Sequence, residues 1–511
     1  MATVGVISLT RFRMKVNCQH CVLPKTRQHL AFPSGMSYAV QMPDSQPTPV
    51  PSFAQSLVCF SSVVAVIAFG LFTMRIDLHV LVFICLIWVG ANIRYLGLHY
   101  AEIRTLMGQA IHRALPAIYI FILIGMVISS FMHSGTIATL MHYGLTWLTP
   151  GLFLPIGMIL CALMSVATGT SWGTVGTLGV VFVGMGDTLD IPLPMVVGMV
   201  VSGATFGDKM SPISDTTNLA AMSAETGLYR HIYSMLFTTV PSFLIALILF
   251  TLIGTRYGNS ELTGTQIEII RAALSGEYRL APLITLLPIV LLAILSIRRV
   301  AAEVAMSASI LLAVIIAIFY QQSETSQVLN ALWANTPGTT GIENLDNLLA
   351  RGGVLSMAWT LILAIMALAL GGLMHGAGFL RVLLSGIIAR VQRVASLIAT
   401  TLVSGLIGNM AMGEAYISII LNCQLFQLKY QERGLDPAVL SRTVEEGSTL
   451  TTGLIPWTTA GAFYSATLGI SALDYAPYAF FNYLNAIVAF TMASAGLGLL
   501  ANYSTKLADR D

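Results

Sequence analysis

Residues 206–218 read Phe-Gly-Asp-Lys-Met-Ser-Pro-Ile-Ser-Asp-Thr-Thr-Asn. Asp208 and Asp215 can each hold a cation or a proton, but not both at full strength. Ser211, Ser214, Thr216, Thr217 and Asn218 add neutral oxygens, the ligand type that hard cations prefer. The flanking sequence is apolar: 191–205 carries no charge, and charge is absent again from His231 to Arg256. A carboxylate at membrane depth costs several kcal/mol unless it is paired, protonated or bound to a cation. Competition between Na+ and H+ for such a carboxylate is the simplest basis for ion exchange. Lys209 reads as a counter-ion. The blander alternatives stay open: Lys209 or a cytoplasmic arginine neutralises Asp208, and the hydroxyls serve only freed backbone groups.

Further polar groups interrupt apolar sequence in the same way. Thr168-Gly-Thr-Ser-Trp-Gly173 offers Thr170 and Ser171. Its G-x-S-x-G spacing formally suits a hydrolase nucleophile, yet that chemistry needs a strand-to-helix turn and a base. His133 is the one nearby candidate base, so an intramembrane hydrolase is a remote alternative. Asn409-Met-Ala-Met-Gly-Glu-Ala-Tyr416 carries one acid, Glu414, read as a proton or Na+ carrier. Glu445 and Glu446 open a second polar run to Thr459, in which Thr451, Thr452, Thr458 and Thr459 surround Pro456. Those two acids either draw cations into a cytoplasmic mouth or pair with Arg442. His133 and His375 read as interfacial anchors, and Glu303 as an interfacial partner of Arg298 and Arg299.

Positioning these groups requires a membrane-embedded helical frame. Only 9% of the 511 residues are charged and 56% are apolar, which excludes a soluble globule. A net charge of +2 gives no reason to expect a nucleic-acid partner. Cys59, Cys85, Cys161 and Cys423 lie in apolar runs and read as packing residues. Cys18 and Cys21 form a CxxC without a second pair, too little for a zinc site. Residues 1–55 form a basic tail without core pattern and without signal-peptide order. Met36 or Met42 is a candidate natural start.

Apolar runs near 56–73, 78–93, 114–134, 192–222, 228–254, 279–297, 300–320, 354–375, 443–470 and 475–500 predict about ten transmembrane helices. Pro212 and Gly207 break the fourth near its centre. Two other stretches, 151–186 and 394–428, are interrupted at their middles. Their halves of 15–18 residues fall short of the roughly 20 needed to cross, so both predict re-entrant hairpins. The positive-inside rule supports this threading. It puts Arg94, Arg104, Arg113, Arg298, Arg299, Arg381, Arg390, Arg393, Lys429, Arg433 and Arg442 inside. The acidic segment 321–353 and the pair Asp187 and Asp190 then fall outside, with both termini cytoplasmic.

Met132-His133 pairs with Met374-His375, Gly169-Thr170 with Gly413-Glu414, and Asp215-Thr216-Thr217 with Trp457-Thr458-Thr459, at offsets near 242 residues. An odd number of crossings per half makes the repeat inverted. The expected fold is therefore an all-α polytopic membrane protein with two re-entrant hairpins in two inverted-topology repeats. The repeats are 56–254 and 279–500, with an external loop 255–278 between them and a cytoplasmic tail 501–511. Secondary transporters place their ion sites between such repeats.

With its supporting stretches Gly169-Thr-Ser-Trp-Gly-Thr174 and 446–459, the 206–218 motif closely resembles the NhaC family of Na+/H+ antiporters, within the ion-transporter superfamily. The resemblance runs from about residue 55 to 500. It implies a bacterial inner-membrane protein with scaffold and transport domains, opposed hairpins around a central site, and a homodimer. Some relatives exchange Na+ and lactate for protons and malate, so the resemblance leaves the substrate open. The expected activity is secondary active Na+/H+ antiport without a cofactor. Na+ sits at Asp215, Asp208 or Glu414. Na+-coupled exchange of an organic anion such as lactate or malate is the alternative. No arginine lies in either hairpin tip, which favours the cation.

Overall fold

Every long apolar run becomes helix, as it must where the bilayer offers the backbone no hydrogen-bond partner. The computed structural model describes residues 50–500 apart from 148, 258–263, 299, 337–339, 343, 344, 347, 348, 389 and 390. The tail up to residue 49, with its CxxC pair and candidate start sites, and 501–511 lie outside the described residues. No β-strand occurs among the described residues. The first helix, Phe53–Phe72, starts three residues before the expected boundary, because the Ser52 hydroxyl caps it by accepting from the Gln55 N–H at 3.2 Å.

Seven helices among the described residues are long and apolar enough to cross a bilayer, or nine if two bent pairs each count once. About ten crossings were expected. Two of the nine are the hairpin arms Pro150–Thr168 and Val394–Met412, so three expected crossings are missing: the two helices with polar centres are split and neither part passes alone, and Phe480–Ser494 has only 15 residues. Leu193–Met210 stops at Ser211 and resumes as Asp215–Ser223. Pro437–Thr452 stops at Gly453 and resumes as Thr459–Leu468. Short helices lie where none was foreseen, among them Tyr100–Arg113, Thr136–Trp147, Phe379–Ile388, Thr325–Ala331 and, inside the expected external loop, Gly264–Glu277. Each is shorter than a crossing, so a search for long apolar runs passes over it.

The interrupted stretches form helical hairpins. Pro150–Thr168 turns at Gly169-Thr170 into Ser171–Thr174, a π-helical turn at Val175–Gly179 and Val180–Thr188. The arms are antiparallel, with Phe153 packed edge-on against Phe182 at 5.7 Å. Val394–Met412 turns at Gly413-Glu414 into Ala415–Glu432, and Ser418 donates across the arms to the Gly405 carbonyl at 3.1 Å. Gly169 (φ 69°) and Gly413 (φ 66°) both adopt the left-handed conformation that ends a helix and that glycine takes without strain. Thr170 and Glu414 follow as N-caps of matching backbone shape, φ −150° and −147°. The first arms, at 19 residues each, are longer than the expected 15–18, and Ala415–Glu432 reaches the upper end at 18. At 1.5 Å per residue that is about 28 Å, close to the hydrocarbon thickness, so arm length does not distinguish a re-entrant arm from a crossing one.

Each hairpin lies hard against the broken helix that follows it. A Cβ on Gly203 would come 2.4 Å from the Met158 carbonyl oxygen, and one on Gly447 would come 2.6 Å from that of Leu402. These contacts correspond at an offset of 244, since 447 − 203 and 402 − 158 agree. The same offset pairs Gly169 with Gly413, Pro212 with Pro456 and the N-caps Ser214 with Thr458. Read as an internal repeat, these contacts favour a register of 244 over one of 242. Asp215 corresponds to Thr459, and Trp457 corresponds to Ile213.

Away from these elements, helix Leu78–Tyr95 packs on Ala358–Gly376, and Phe53–Phe72 packs on Leu78–Tyr95 and Phe379–Ile388, in a cluster that includes Val63, Leu81, Val89 and Leu370. Cys59, Cys85, Cys161 and Cys423 are buried in apolar packing.

Candidate ion-binding site

Asp208 lies on the last turn of Leu193–Met210, where the helix breaks beside the first hairpin tip. Its carboxylate accepts from the Ser171 N–H at 3.1 Å, the Ser171 hydroxyl at 2.7 Å and the Ser214 hydroxyl at 2.6 Å. Ser214 and Thr216 share a further hydrogen bond of 3.1 Å. Asp208 therefore covers the helix N-terminus at Ser171, where backbone donors and the helix dipole favour negative charge.

The second tip reaches the same end with different residues. Glu414 accepts weakly from the Tyr416 N–H at 3.4 Å, and from the Thr459 hydroxyl at 2.8 Å. The Thr459 N–H donates to the Gly413 carbonyl at 2.9 Å, tying broken helix to tip. At the first tip the broken helix supplies the acid and the tip supplies the hydroxyl. At the second tip those contributions are exchanged.

Both tips, the first break and the residues flanking the second, Thr452 and Thr459, face one cavity of about 1280 Å³. At about 30 Å³ per liquid water, it has room for solvent as well as an ion. Asp208, Glu414, Asp215, Ser171, Thr170 and Thr216 all line it. Asp215 projects into it and makes no hydrogen bond among the described residues; its electrostatic neighbour is Glu303, which also lines the cavity. Glu303 was expected to pair at the interface. Its place at the start of Ala302–Ile315 turns it inward instead. Arg113 and His375 stand on the same wall, and Tyr416 and Trp172 add aromatic surface. The sequence pointed to none of these four as a site residue, because each lies on a helix whose facing is set by distant partners.

Several expected oxygens are turned away. Ser211 donates to the Val166 carbonyl at 2.8 Å. Asn218 donates to the Pro212 and Ser214 carbonyls at 3.0 and 2.8 Å. Thr458 caps its helix by accepting from the Gly461 N–H at 3.1 Å. Thr217 donates to the Lys209 carbonyl at 3.1 Å and to Glu445 at 3.0 Å. These four satisfy backbone or buried groups freed by the breaks. Asn218 still borders the cavity, unlike the other three.

Lys209 is a counter-ion, but its partner is Glu446 at 3.4 Å, not Asp208. One residue along a helix turns a side chain by about 100°, so adjacent residues serve different faces. Glu445 and Glu446 are likewise fully buried, neither at a cytoplasmic mouth nor paired to Arg442. Glu445 bonds His231 at 2.7 Å, and Arg442 donates to the Ser234 and Gly498 carbonyls. For the hydrolase alternative, Ser171 is bonded to Asp208 and His133 to Asn335 at 2.9 Å, so no serine–histidine pair forms there.

The sequence profile of the Na+/H+ antiporter family matches residues 49–224 and 203–497. The chain belongs to this family. Within it, the chain is 35% identical over 445 residues to the Na+/H+ antiporter NhaC of Alkalihalophilus pseudofirmus, covering 87% of this chain and 96% of that protein. It is 32% identical to the malate-2H+/Na+-lactate antiporter of Bacillus subtilis, covering 85% and 91%. It is also 32% identical to the arginine/ornithine antiporter ArcD of Halobacterium salinarum, covering 89% and 94%. The chain is thus similar both to proteins named for inorganic substrates and to proteins named for organic ones.

Proposed function

We propose that this antiporter-family protein exchanges Na+ for H+ by alternating access of the cavity, exporting Na+ from a bacterial cell across its inner membrane. The observation that carries this is the capping of both hairpin tips by the protein's own carboxylates, Asp208 and Glu414. A helix N-terminus is a ready site for an organic anion. Here both such positions are filled from within, and the cavity wall adds Asp215 and Glu303. Such a wall attracts cations. Asp208, Asp215 and Glu414 are the exchanging carboxylates in this reading. Ser171, Ser214, Thr216 and Thr459 supply neutral oxygens, and Thr170 lies beside them at the first tip. The repeats are inverted and the tips stop inside the membrane. The rim at Arg113, Tyr229 and Glu303 then faces the cytoplasm, and both termini lie on that side.

One observation favours a second reading, Na+-coupled exchange of an organic anion: Arg113 lines the cavity and offers a carboxylate a partner. Flux in proteoliposomes separates the two. Purified protein should move H+ in response to Na+, with lactate, malate and arginine changing the rate less than about twofold, well inside 1.4 kcal/mol of coupling. Proton movement that requires malate or lactate would establish the second reading, and the absence of Na+-dependent proton movement would overturn the first.

A further inference from the structure

Behind the cavity lies a second group of ionisable side chains. His231, Glu445, Glu446 and Lys209 are fully buried, and none lines the cavity. They join three separate helices: Leu193–Met210, Leu228–Gly254 and Pro437–Thr452. We infer that this cluster is a proton-binding site distinct from the cavity, centred on the His231–Glu445 pair. The inference rests on the antiport reading above and deepens it by adding a proton site coupled to the exchanging carboxylates.

The hydrogen-bond pattern around His231 fits either protonation state. Nε2 lies 2.7 Å from Glu445 Oε2, and Nδ1 lies 2.7 Å from Ser441 Oγ. In the neutral ring Nε2 donates to Glu445 and Nδ1 accepts from the Ser441 hydroxyl. In the charged ring both nitrogens donate. Ser441 then accepts and turns its own proton to the Ala438 carbonyl, 3.2 Å away. A hydroxyl can make that exchange because it is both donor and acceptor. No group loses its partner when the proton arrives or leaves.

The charges in and around the cluster also call for a proton. Lys209 and Arg442 are the cations facing it, and Glu445, Glu446 and Asp208 the carboxylates. Ala415–Glu432 adds Tyr430 and Cys423 nearby, Phe480–Ser494 adds the neutral Asn482 and Asn485, and Val394–Met412 adds no charged residue. With His231 neutral, two cations face three anions. A buried excess of one charge is costly. A proton on the pair cancels it, and so does a Na+ ion at Asp208. Two buried atoms of the cluster, Glu446 Oε2 and Arg442 Nε, also lack a hydrogen-bond partner among the described residues. The cluster's hydrogen bonding is thus incomplete in this state.

The route between the two sites is short. Lys209 adjoins Asp208 in the chain. Thr217 bridges the Lys209 carbonyl to Glu445, and it sits on the same helical segment as Asp215 and Thr216. Na+ bound at the break and a proton bound at the pair are therefore alternative ways to neutralise one connected region, which couples the two ions without requiring them to share a ligand.

The test uses purified full-length protein in weakly buffered detergent solution. Addition of Na+ should release about one proton per chain from the wild type, as linkage between two competing ligands requires. His231→Gln should cut that release by half or more and shift the pH midpoint of Na+-driven flux by about one unit or more. Tracer Na+ binding at saturating Na+ should persist in that variant. Glu445→Gln, close in shape, should do the same. Wild-type proton release and midpoint in both variants would overturn the inference and leave the antiport reading standing, as would loss of Na+ binding at every pH in both. A wild type that binds Na+ without releasing a proton would overturn the antiport reading itself, and the inference with it.

Discussion

Asp208 and Asp215 look alike in sequence and differ in place. Asp208 is held by three donors at the first tip, whereas Asp215 projects into the cavity with no hydrogen bond. Asn in place of each separates their roles. Asp215→Asn should abolish Na+-dependent proton flux, lowering it at least about tenfold, while thermal unfolding stays within about 0.5 kcal/mol of wild type. Near-normal flux in proteoliposomes would remove Asp215 from the exchange. Asp208→Asn should lower both, because an amide places a donor against the Ser171 and Ser214 donors; a loss of about 1–3 kcal/mol is expected. Equal melting of the two variants would show that the tip contacts do not hold Asp208 in place. The acids were legible because a charge in apolar sequence is conspicuous. Their partners were not. Lys209 meets Glu446 and His231 meets Glu445 across more than 200 residues, and spacing along the chain carries no record of which face a helix presents.

At the scale of elements, the breaks and hairpin turns were readable because Gly and Pro mark them. The register was not. A match at 242 paired Asp215 with Trp457, while backbone contacts give 244 and pair it with Thr459. Identical residues mislead by a position or two; close backbone approaches do not. Those approaches are testable. A Cβ on Gly207 would lie 2.3 Å from the Ala162 carbonyl oxygen and 2.6 Å from Ser165 Cβ. Gly207→Val should push hairpin and broken helix apart, costing about 1–3 kcal/mol and moving the first tip off Asp208. Melting and flux should fall together, and a variant that melts like wild type would contradict the contact. Outside the membrane, Asp346 ties its loop by accepting from the Thr340 hydroxyl and N–H at 2.7 and 2.8 Å and from the Gly341 N–H at 3.1 Å. Those donors, the Thr340 hydroxyl first, hold its carboxyl below the usual carboxylate range. A depressed folded value stabilises the loop above the ordinary carboxylate range near 3.9, and that contribution is lost as pH falls through the folded value. Amide exchange at Thr340 and Gly341 should therefore speed up in Asp346→Asn at neutral pH, and unchanged exchange would show that the carboxylate does not hold the turn.

For the whole molecule, the question is which side the cavity faces. Its rim includes Arg113 and Tyr229, on the side that the arginine distribution assigns to the cytoplasm. Toward the other side Trp172 stacks on Phe463 at 4.7 Å and 14°, and Phe121 packs edge-on against both at 5.4 and 5.5 Å. Beyond them Arg351 donates to the Leu468 carbonyl at 3.0 Å. Aromatic pairs of this kind are each worth about 0.5–1.5 kcal/mol beyond the area they bury, enough to bias a closed gate without locking it. Ile420 lines the cavity and remains exposed, while Gln327 lies exposed on Thr325–Ala331, on the opposite side in the threading. In a background with Cys18 and Cys21 changed to Ser, the other four cysteines are buried. Ile420→Cys should react with a membrane-impermeant maleimide supplied from the cytoplasmic side only, and Gln327→Cys from the outer side only. Adding Trp172→Ala should open the aromatic closure and let the reagent reach Ile420→Cys from outside as well. Labelling of Ile420→Cys from outside without that change would place the rim on the wrong side and reverse the proposed orientation. Protection from outside that survives Trp172→Ala would shift the barrier from the aromatic stack to the Arg351–Leu468 contact.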